Sequence, residues 1–371
     1  MIFFADLPKP LHGMSAVNAS MLKLLQERSS EVHIINTVPS YAAKFFNTPF
    51  WAIVKIFHSF GCLIMLVARL AKSDDKILYR AVNGGWGQLF DIVYFGAARL
   101  LGAKIYVHHH CFQYVDRQSR LFESIVWIIG PDAVHLVLGQ KMRNDLLARY
   151  AIPQDKVEIL SNLAFFLSDA QSAISESTKT LTIGHLANLC VAKGSLVFLD
   201  VVAELASREV EFEAHLAGPF ADRATELAVD NALKQFPQLI YHGPVYAAQK
   251  RKFYECLDLF LFNSEYINEA EPLVLYEAAQ QGAYIIGSAR GCMADMLASL
   301  GGTCVPSQSA GAQSICDSIE KLVRAREFSP IHRAKRRTTF AKLQREWQSK
   351  IVHVIDVLSG SSRTNSHQLQ E

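Results

Sequence analysis

The sequence lacks every cysteine pattern that would indicate a disulfide framework or a zinc site. Its 371 residues include seven cysteines, an odd number, and no two of them form a C-x-x-C pair. Small secreted domains pair their cysteines, and structural zinc sites hold them at short spacing. The cysteine content therefore favours a reducing cytoplasm.

A strong net charge is also absent. The 37 Lys and Arg residues nearly balance the 35 Asp and Glu residues, which leaves a formal charge of +2. Such a chain has no general attraction to nucleic acid, so any affinity for an anionic surface must come from local clusters. One cluster lies at residues 324–347, "RAREFSPIHRAKRRTTFAKLQREW", with eight Lys or Arg residues and few acids. This cluster either contacts anionic lipid or forms the solvated face of a helix.

The sequence has neither a clear secretory leader nor a long uncharged run. The N-terminus, "MIFFADLPKPLHG", has no basic residue before its apolar ones and reaches Pro8 and Pro10 early, so we expect no signal peptide. The most apolar stretch is residues 50–72, "FWAIVKIFHSFGCLIMLVARLAK". Its uncharged core between Lys55 and Arg69 has only 13 residues, whereas a span needs ~20 apolar residues.

The polar residues of this stretch indicate how it packs. They fall near one helical stripe, as in a packed helix with a narrow wet edge: Lys55, His58, Ser59, Cys62 and Arg69. We therefore expect a core helix, and a membrane-surface helix is the alternative.

Short apolar runs alternate with helical patterns along most of the chain. With 50% apolar residues, a chain of this length can bury enough surface for about two domains. In the first half the strand candidates are "IFFA", "EVHIINT", "KILYRA" and "AKIYVHH". After the polar stretch "SDAQSAISESTK", residues 168–179, six more follow: "LTIGHL", "FEAHLAGP", "LIYHGPV", "LDLFLFNS", "AYIIGSARG" and "GTCVP". The pattern predicts an α/β protein with two doubly wound parallel sheets, and ligands bind beyond the carboxyl ends of such strands.

Residues 263–282, "NSEYINEAEPLVLYEAAQQG", combine acids with the start of an apolar helix. Pro272 suits a first helical turn, and the amide groups of Leu273 and Val274 with the helix dipole would form a diphosphate site. Glu269 precedes the helix, whereas Glu277 lies inside it, where a buried carboxylate needs a hydroxyl or a cation as partner. The alternative is that both glutamates are ordinary acids near a helix N-terminus.

Three further motifs contribute candidates. In "VAKG", Lys193 before a glycine can clamp a diphosphate, although an exposed loop lysine is the alternative. "LHGMSA" places Gly13 and Met14 after the first strand, where a glycine is equally a simple turn. "YVHHHCF" ends a strand with three histidines, whose side chains alternate in direction and so do not predict a metal site.

Together these motifs resemble the retaining nucleotide-sugar glycosyltransferases of the GT-B fold, in particular the large family 4 group, glycosyl transferases group 1. The resemblance covers nearly all of the second half, in the family's order, and is weaker in the first half. It rests on "IGHLANLCVAKGSLVFLD", "HLAGP", "YHGPV", "LDLFLFNSEYINEAEPLVLYEAAQQGAYIIGSARG" and "CVPSQSAGAQSICDSIEKLV". Glu269 and Glu277 stand at the spacing of the family's E-x7-E motif.

The resemblance implies an architecture. Two Rossmann-like domains would face each other across a cleft. We place the N-terminal, acceptor-side domain at residues 1–168, a linker at 169–179 and the C-terminal, nucleotide-sugar-binding domain at 180–345. A last helix at about 346–358 would cross back to the first domain, and residues 359–371 would form a mobile tail.

The resemblance also implies roles for individual residues. Glu269 would face the donor sugar and Glu277 the ribose of the nucleotide. The implied catalytic residues are Glu269, Lys193 and one of His109 and His110. The implied nucleotide-sugar-binding residues are Gly13, Met14, Asn188, Lys193, Val245, Pro272, Leu273, Val274 and Glu277.

One position departs from the family pattern. The family usually has an arginine five or six residues before the lysine, and Asn188 stands there. Either another residue such as His185 supplies the charge, or catalysis is slower, or the donor differs.

The implied reaction is retaining transfer of a sugar from a UDP- or GDP-sugar to a hydroxyl of a glycan or lipid-linked glycan, in bacterial lipopolysaccharide or capsule synthesis. The enzyme would be cytoplasmic and peripheral to the inner face of the plasma membrane. No D-x-D motif occurs, so we expect neither an obligatory metal nor a cofactor. The alternatives are a noncatalytic nucleotide-sugar-binding protein or partner subunit, and an epimerase on the same scaffold, which "EPLVLYEA" disfavours.

Overall fold

The computed structural model describes residues 1–8, 13–28, 31–45, 48–166, 180–305 and 311–359. It divides into two compact units, one formed by Met1–Phe166 with Glu346–Glu371 and the other by Leu167–Arg345. The predicted linker at 169–179 and the predicted tail beyond residue 359 lie outside the described residues.

In its described part, the first unit contains a parallel six-stranded sheet in the order β2-β1-β3-β4-β5-β6. Its strands are β1 (Ile2–Ala5), β2 (His33–Asn36), β3 (Ile77–Val82), β4 (Lys104–His109), β5 (Val134–Val137) and β6 (Val157–Ile159). Its α-helices are α1 (Gly13–Arg28), α2 (Pro49–Lys72), α3 (Gln88–Leu100), α4 (Gln113–Asp116), α5 (Arg120–Ile129) and α6 (Gln140–Arg149), and the second half of α13 (Pro330–Ser359), from Glu346 to Ser359, also belongs to it. The four predicted strands are confirmed, and β5 and β6 are additional.

The second unit has a parallel sheet of its own, in the order β12-β11-β10-β7-β8-β9. Its strands are β7 (Leu181–Leu186), β8 (Phe212–Ala217), β9 (Leu239–Tyr241), β10 (Leu259–Phe262), β11 (Tyr284–Ser288) and β12 (Thr303–Val305). Its helices are α7 (Ser195–Ser207), α8 (Arg223–Gln235), α9 (Ala247–Glu255), α10 (Leu273–Gln280), α11 (Met293–Leu300), α12 (Ala312–Arg324) and the first half of α13 (Pro330–Ser359). Each of the six predicted strand candidates forms a strand.

The central strands read as continuous apolar runs because helices cover both faces of each sheet. Every residue of β1, β7 and β10 is buried. This arrangement leaves the loops at the carboxyl ends of the strands to carry polar, ligand-binding side chains.

Arg80, in the middle of β3, is buried in the first unit and carries a charge into its core. Its Nη2 lies 2.6 Å from Oδ1 of Asp91, and its guanidinium lies 4.8 Å from the centre of the Phe4 ring. The backbone N–H of Asn83 donates to Oδ2 of Asp91 over 2.8 Å. Because both charges are satisfied only by one another and by nearby polar groups, loss of either partner would leave an uncompensated charge in the core.

Helix α2 exposes its apolar side and buries part of its polar side, so the prediction of a core helix is wrong. Only 17% of its most apolar stretch is buried, and Phe57 and Phe60 are 74% and 63% exposed. Two residues that were predicted to lie on the solvent-exposed polar edge face inward instead. Cys62 is buried, and His58 Nε2 lies 2.9 Å from the backbone oxygen of Asn36. The polar groups face inward because they meet a carbonyl at the end of β2 that needs partners.

Three arginines of the basic cluster point into the second unit: Arg333, Arg336 and Arg337. Arg333 donates from Nε to the backbone oxygen of Gln281 (3.0 Å) and from Nη2 to that of Glu255 (2.6 Å). Arg336 donates from Nε to the backbone oxygen of Gly282 over 2.9 Å. The guanidinium groups thus satisfy carbonyls in the last turn of α9 and just after α10, where the helix dipole also favours a cation. For these three, neither predicted alternative, lipid contact or a solvated face, is correct.

Candidate functional site

The strand order of the second sheet reverses between β7 and β10. The chain runs outward from β7 through β8 and β9 and then returns to β10 on the other side of β7. Open parallel sheets bind ligands beyond the carboxyl ends of the strands at such a reversal. The loop after β7 carries Lys193 and the segment after β10 carries Glu269, so the topology brings these two predicted residues together.

The two segments are held against each other by a close backbone approach. Residues Val191–Lys193 form a single helical turn that ends at Gly194, whose φ is 83°. A Cβ at Gly194 would lie 2.4 Å from the backbone oxygen of Asn263, so only glycine fits there. The backbone N–H of Glu265 donates to the carbonyl of Ala192 over 2.8 Å. This contact fixes the position from which Lys193 extends.

Lys193 and Glu269 form an ion pair. Lys193 Nζ lies 2.5 Å from Oε2 of Glu269, and Ser264 Oγ donates to the same oxygen over 3.0 Å. The ammonium also lies 4.6 Å from the centre of the Tyr266 ring, a favourable contact between a cation and an aromatic face. The Lys193 side chain is 21% exposed and that of Glu269 is 9% exposed. The pair is therefore ordered by the domain itself, with the lysine on the more accessible side.

Helix α10 begins directly after this pair. It starts at Leu273, one residue later than predicted, and Pro272 is its N-cap, with φ −69° and ψ 125°. Leu273 and Val274 are half-buried in the first turn. The amide groups of a first turn have no acceptor within the helix and carry the positive end of its dipole. They are suited to bind an anion.

Glu277, on the same helix, has partners that the sequence analysis missed. Lys250 Nζ lies 2.6 Å from its Oε1, and the hydroxyl of Tyr254 donates to its Oε2 over 2.9 Å. Lys250 and Tyr254 lie four residues apart on one face of α9, a spacing that the sequence does contain. The Glu277 side chain is 22% exposed, so the pair holds an accessible carboxylate in a fixed orientation.

Residues 178–325 match the family model described as Glycosyl transferases group 1. The second unit therefore contains a glycosyl transferases group 1 domain. The match includes the loop with Lys193 and both glutamates of the E-x7-E spacing, as the resemblance predicted. A search of curated proteins finds no match for the chain.

Solved structures extend the likeness to nearly the whole chain. HepE of Anabaena, solved with UDP, is 13% identical, with a TM-score of 0.70 over 96% of this chain and 99% of its own. Sucrose-phosphate synthase of Thermosynechococcus elongatus is 13% identical, with a TM-score of 0.62 over 81% of this chain and 79% of its own. The lipopolysaccharide outer core galactosyltransferase WaaB is 13% identical, with a TM-score of 0.59 over 92% of this chain and 99% of its own. At this identity the likeness concerns the fold, and the predicted GT-B fold is confirmed.

In the glycosyl transferases group 1 domain, His185 does not replace the arginine missing at Asn188. Its side chain is fully buried, with Nδ1 2.9 Å from the backbone oxygen of Leu261 and Nε2 3.3 Å from Oγ of Ser195. Burial lowers the pKa of His185 to about 4, so the ring is neutral near pH 7. The suggestion that His185 supplies the charge is therefore wrong.

Asn188 and Val245 lie in loops at the same edge of the sheet as Lys193. Asn188 is exposed just after β7, and Val245 is half-buried between β9 and α9. Ligands of open parallel sheets bind at this edge, and the donor-binding roles of both residues stay predictions.

The predicted histidines belong to the first unit, and the structure separates them. His109 is buried, with Nδ1 2.8 Å from the hydroxyl of Tyr114 and Nε2 3.0 Å from Nδ1 of His135. Burial lowers the pKa of His109 well below its usual value. Both of its ring nitrogens have internal partners, so a catalytic role for His109 is not supported. His110 is half-buried and is the better candidate.

Gly13 and Met14 are the first two residues of α1. Residues 9–12, which precede them in "LHGMSA", lie outside the described part of the chain. Gly13 is exposed and Met14 is half-buried. They follow β1, next to the reversal of strand order between β1 and β3, which is the location that the prediction requires.

Proposed function

We propose that the protein is a retaining glycosyltransferase that moves a sugar from a UDP- or GDP-sugar to a hydroxyl of a glycan or lipid-linked glycan. The observation that carries the proposal is the Lys193–Glu269 pair beside the first turn of α10, at the strand-order reversal of a glycosyl transferases group 1 domain. HepE has been solved with UDP and with UDP-glucose, which supports a nucleotide-sugar donor.

The chemistry follows from where charge develops. Cleavage of the bond between the anomeric carbon and the diphosphate gives an oxocarbenium-like sugar and adds negative charge to the leaving phosphate. Lys193 and the amide groups of Leu273 and Val274 stabilise that charge. The acceptor hydroxyl passes its proton to the departing phosphate as the new bond forms on the same face of the sugar. No strong protein base is required.

The two glutamates divide recognition of the donor between them. Glu269, held by Lys193 and Ser264, precedes α10 and contacts the sugar. Glu277, held by Lys250 and Tyr254, accepts hydrogen bonds from the ribose.

For the acceptor, we propose a growing glycan of the bacterial cell surface, of the lipopolysaccharide or capsule class, assembled on the cytoplasmic face of the membrane. The structural likeness to WaaB, which is named a lipopolysaccharide outer core galactosyltransferase, supports this class of acceptor. The other candidate is a noncatalytic nucleotide-sugar-binding protein, which the exposed Asn188 in place of a basic residue favours.

Exchange of each glutamate should separate these roles. Glu277→Ala should weaken binding of the nucleotide diphosphate and of the nucleotide sugar alike, by ~1.5 to 3 kcal/mol for a charged hydrogen bond. Glu269→Ala should leave diphosphate binding nearly intact and abolish transfer. Calorimetry with UDP, UDP-glucose and the guanosine equivalents measures the first effect, and a product assay that resolves the anomers measures the second.

Glu271→Ala provides a matched control for the two exchanges. Glu271 lies between them in sequence, and its Oε1 accepts a hydrogen bond from the hydroxyl of Tyr276. We expect that variant to keep donor affinity. If Glu269→Ala weakened diphosphate binding while Glu277→Ala did not, the assigned roles would be exchanged. Wild-type protein that binds donor but transfers to no acceptor would favour the noncatalytic alternative.

Transfer should not require a divalent metal. The prediction rests on the absence of a D-x-D motif and on the presence of Lys193 and the α10 amides as phosphate ligands. Activity should therefore be unchanged in excess EDTA. Loss of transfer in EDTA, with recovery on addition of magnesium or manganese, would contradict it.

A further inference from the structure

Helix α2 presents a broad apolar surface to solvent. Among the described residues it is the one helix long and apolar enough to cross a membrane, yet only 17% of its most apolar stretch is buried. Its exposed large apolar side chains are Phe50, Ile53, Ile56, Phe57, Phe60, Ile64, Met65 and Val67. Soluble monomers rarely expose a contiguous apolar patch of this kind unless it contacts a partner or a membrane.

The surface continues onto the neighbouring helices of the first unit. The crossovers through α2, α3 and α5 all advance in one direction along the sheet, so right-handed connections place these helices on the same face. The hydroxyl of Tyr94 in α3 donates to the carbonyl of Ser59 in α2 over 3.1 Å. Exposed apolar side chains on and before α3 and on α5 are Trp86, Leu89, Val93, Leu100 and Trp127. We name the exposed apolar residues of α2, α3 and α5, with Trp86, the α2 face.

All the formally charged residues of α2 are basic. Residues Pro49–Lys72 contain the basic residues Lys55, Arg69 and Lys72 and no acid. A helix with a wide apolar side and flanking basic residues is the pattern of segments that lie in the headgroup region of a bilayer, where anionic lipid attracts the basic groups. Asp74 and Asp75 follow only after the helix has ended.

We propose that the α2 face docks on an anionic phospholipid bilayer, with α2 lying in the plane of the interface. At 1.5 Å per residue, its 24 residues give a helix ~36 Å long that can lie flat on the bilayer. Phe57 and Phe60 enter the acyl boundary, and Arg69 and Lys72 contact lipid headgroups. The inference goes beyond the proposed transfer reaction, because it uses no residue of the donor site.

Two other arrangements fit the residues less well. A spanning helix would have to leave the sheet and lose the contacts of His58 and Cys62 with the carbonyl of Asn36, placing those polar groups in hydrocarbon. A second copy of the chain would pair the same patch with itself about a two-fold axis and bring equal basic charges together.

Vesicle co-sedimentation of the full chain tests the proposal. Wild-type protein should bind vesicles of equal parts phosphatidylglycerol and phosphatidylcholine, bind phosphatidylcholine alone at least ~10-fold more weakly, and lose affinity as salt rises. The double variant Phe57→Ser/Phe60→Ser should bind anionic vesicles at least ~10-fold more weakly, since it removes two inserted side chains. Brominated lipid should quench the tryptophan fluorescence of the wild-type protein, since Trp51 lies in α2 and Trp127 in α5, and should quench that of this variant less.

Leu227→Ser, which alters a 47% exposed residue of α8 in the second unit, serves as the matched control and should bind like wild type. Nucleotide affinity by calorimetry should be equal in all three proteins, which shows that each is folded and keeps its donor site. Wild-type binding by Phe57→Ser/Phe60→Ser would overturn the proposal. A concentration-dependent dimer that the double variant abolishes, with no vesicle binding by wild type, would replace it with a self-association surface.

Discussion

Lys193→Met should lower the turnover of sugar transfer by about 100-fold or more, because removing one positioned charge stabiliser of a leaving group has a cost of that order. The side chain keeps its length and its apolar stem but loses the ammonium that lies 2.5 Å from Glu269. Affinity for the nucleotide diphosphate should fall as well, since the diphosphate carries the same charge as the leaving group. Steady-state kinetics and calorimetry on the same preparation measure both effects.

Lys193→Arg and Lys234→Met are suitable companions for this variant. Arginine keeps the positive charge and should retain more activity than methionine, which separates charge from packing. Lys234 is an exposed lysine in the last turn of α8, and its loss should change neither quantity. Unchanged nucleotide affinity and turnover in Lys193→Met would refute the diphosphate assignment.

Arg80→Met should destabilise the first unit by about 3 to 5 kcal/mol, the usual cost of breaking a buried ion pair and leaving the other charge without its partner. Arg80 and Asp91 are 1% and 0% exposed, and water cannot replace the lost guanidinium. Urea unfolding followed by tryptophan fluorescence measures the change. All four tryptophans of the chain, at positions 51, 86, 127 and 347, belong to the first unit, so their signal reports that unit selectively.

The double variant Arg80→Met/Asp91→Leu distinguishes an unpaired charge from a packing defect. It removes both charges and should recover much of the loss. Lys141→Met breaks a surface pair with Asp145 at 2.8 Å and should change stability by no more than about 1 kcal/mol. A loss of that small size in Arg80→Met would mean that the core tolerates an isolated Asp91.

Local pattern was enough to predict most strands, because buried parallel strands are short apolar runs wherever they occur in the chain. It was also enough to bring Lys193 and Glu269 to one edge of a sheet, since carboxyl ends of neighbouring parallel strands meet there. Local pattern could not show whether His109 or His110 is available to a ligand. The hydrogen-bond partners of His109 are Tyr114 in α4 and His135 in β5, and the sequence does not reveal these contacts. A residue's partners across the sheet depend on register, which periodicity does not contain.

The errors about α2 and the basic cluster have a common cause. Amphipathic periodicity locates two sides of a helix but does not say which side meets protein, because a carbonyl such as that of Asn36 can attract the polar side inward. A cluster of arginines in a sequence likewise predicts a charged surface. That prediction fails where carbonyl groups at the end of a neighbouring helix accept hydrogen bonds from the guanidinium groups. Lys250 and Tyr254 were missed because their partner, Glu277, lies 27 and 23 residues away.

The inward arginines also restrict how this sequence can evolve. Arginine and lysine interchange readily at most exposed positions, because a single solvated charge is all that is retained there. At position 333 one side chain serves two carbonyls, those of Gln281 and Glu255, from separate nitrogens of a planar group. An ammonium on a flexible stem cannot reproduce that geometry. Substitution of lysine by arginine should therefore be neutral at Lys335, which is exposed. Substitution of arginine by lysine should not be neutral at Arg333, two residues earlier.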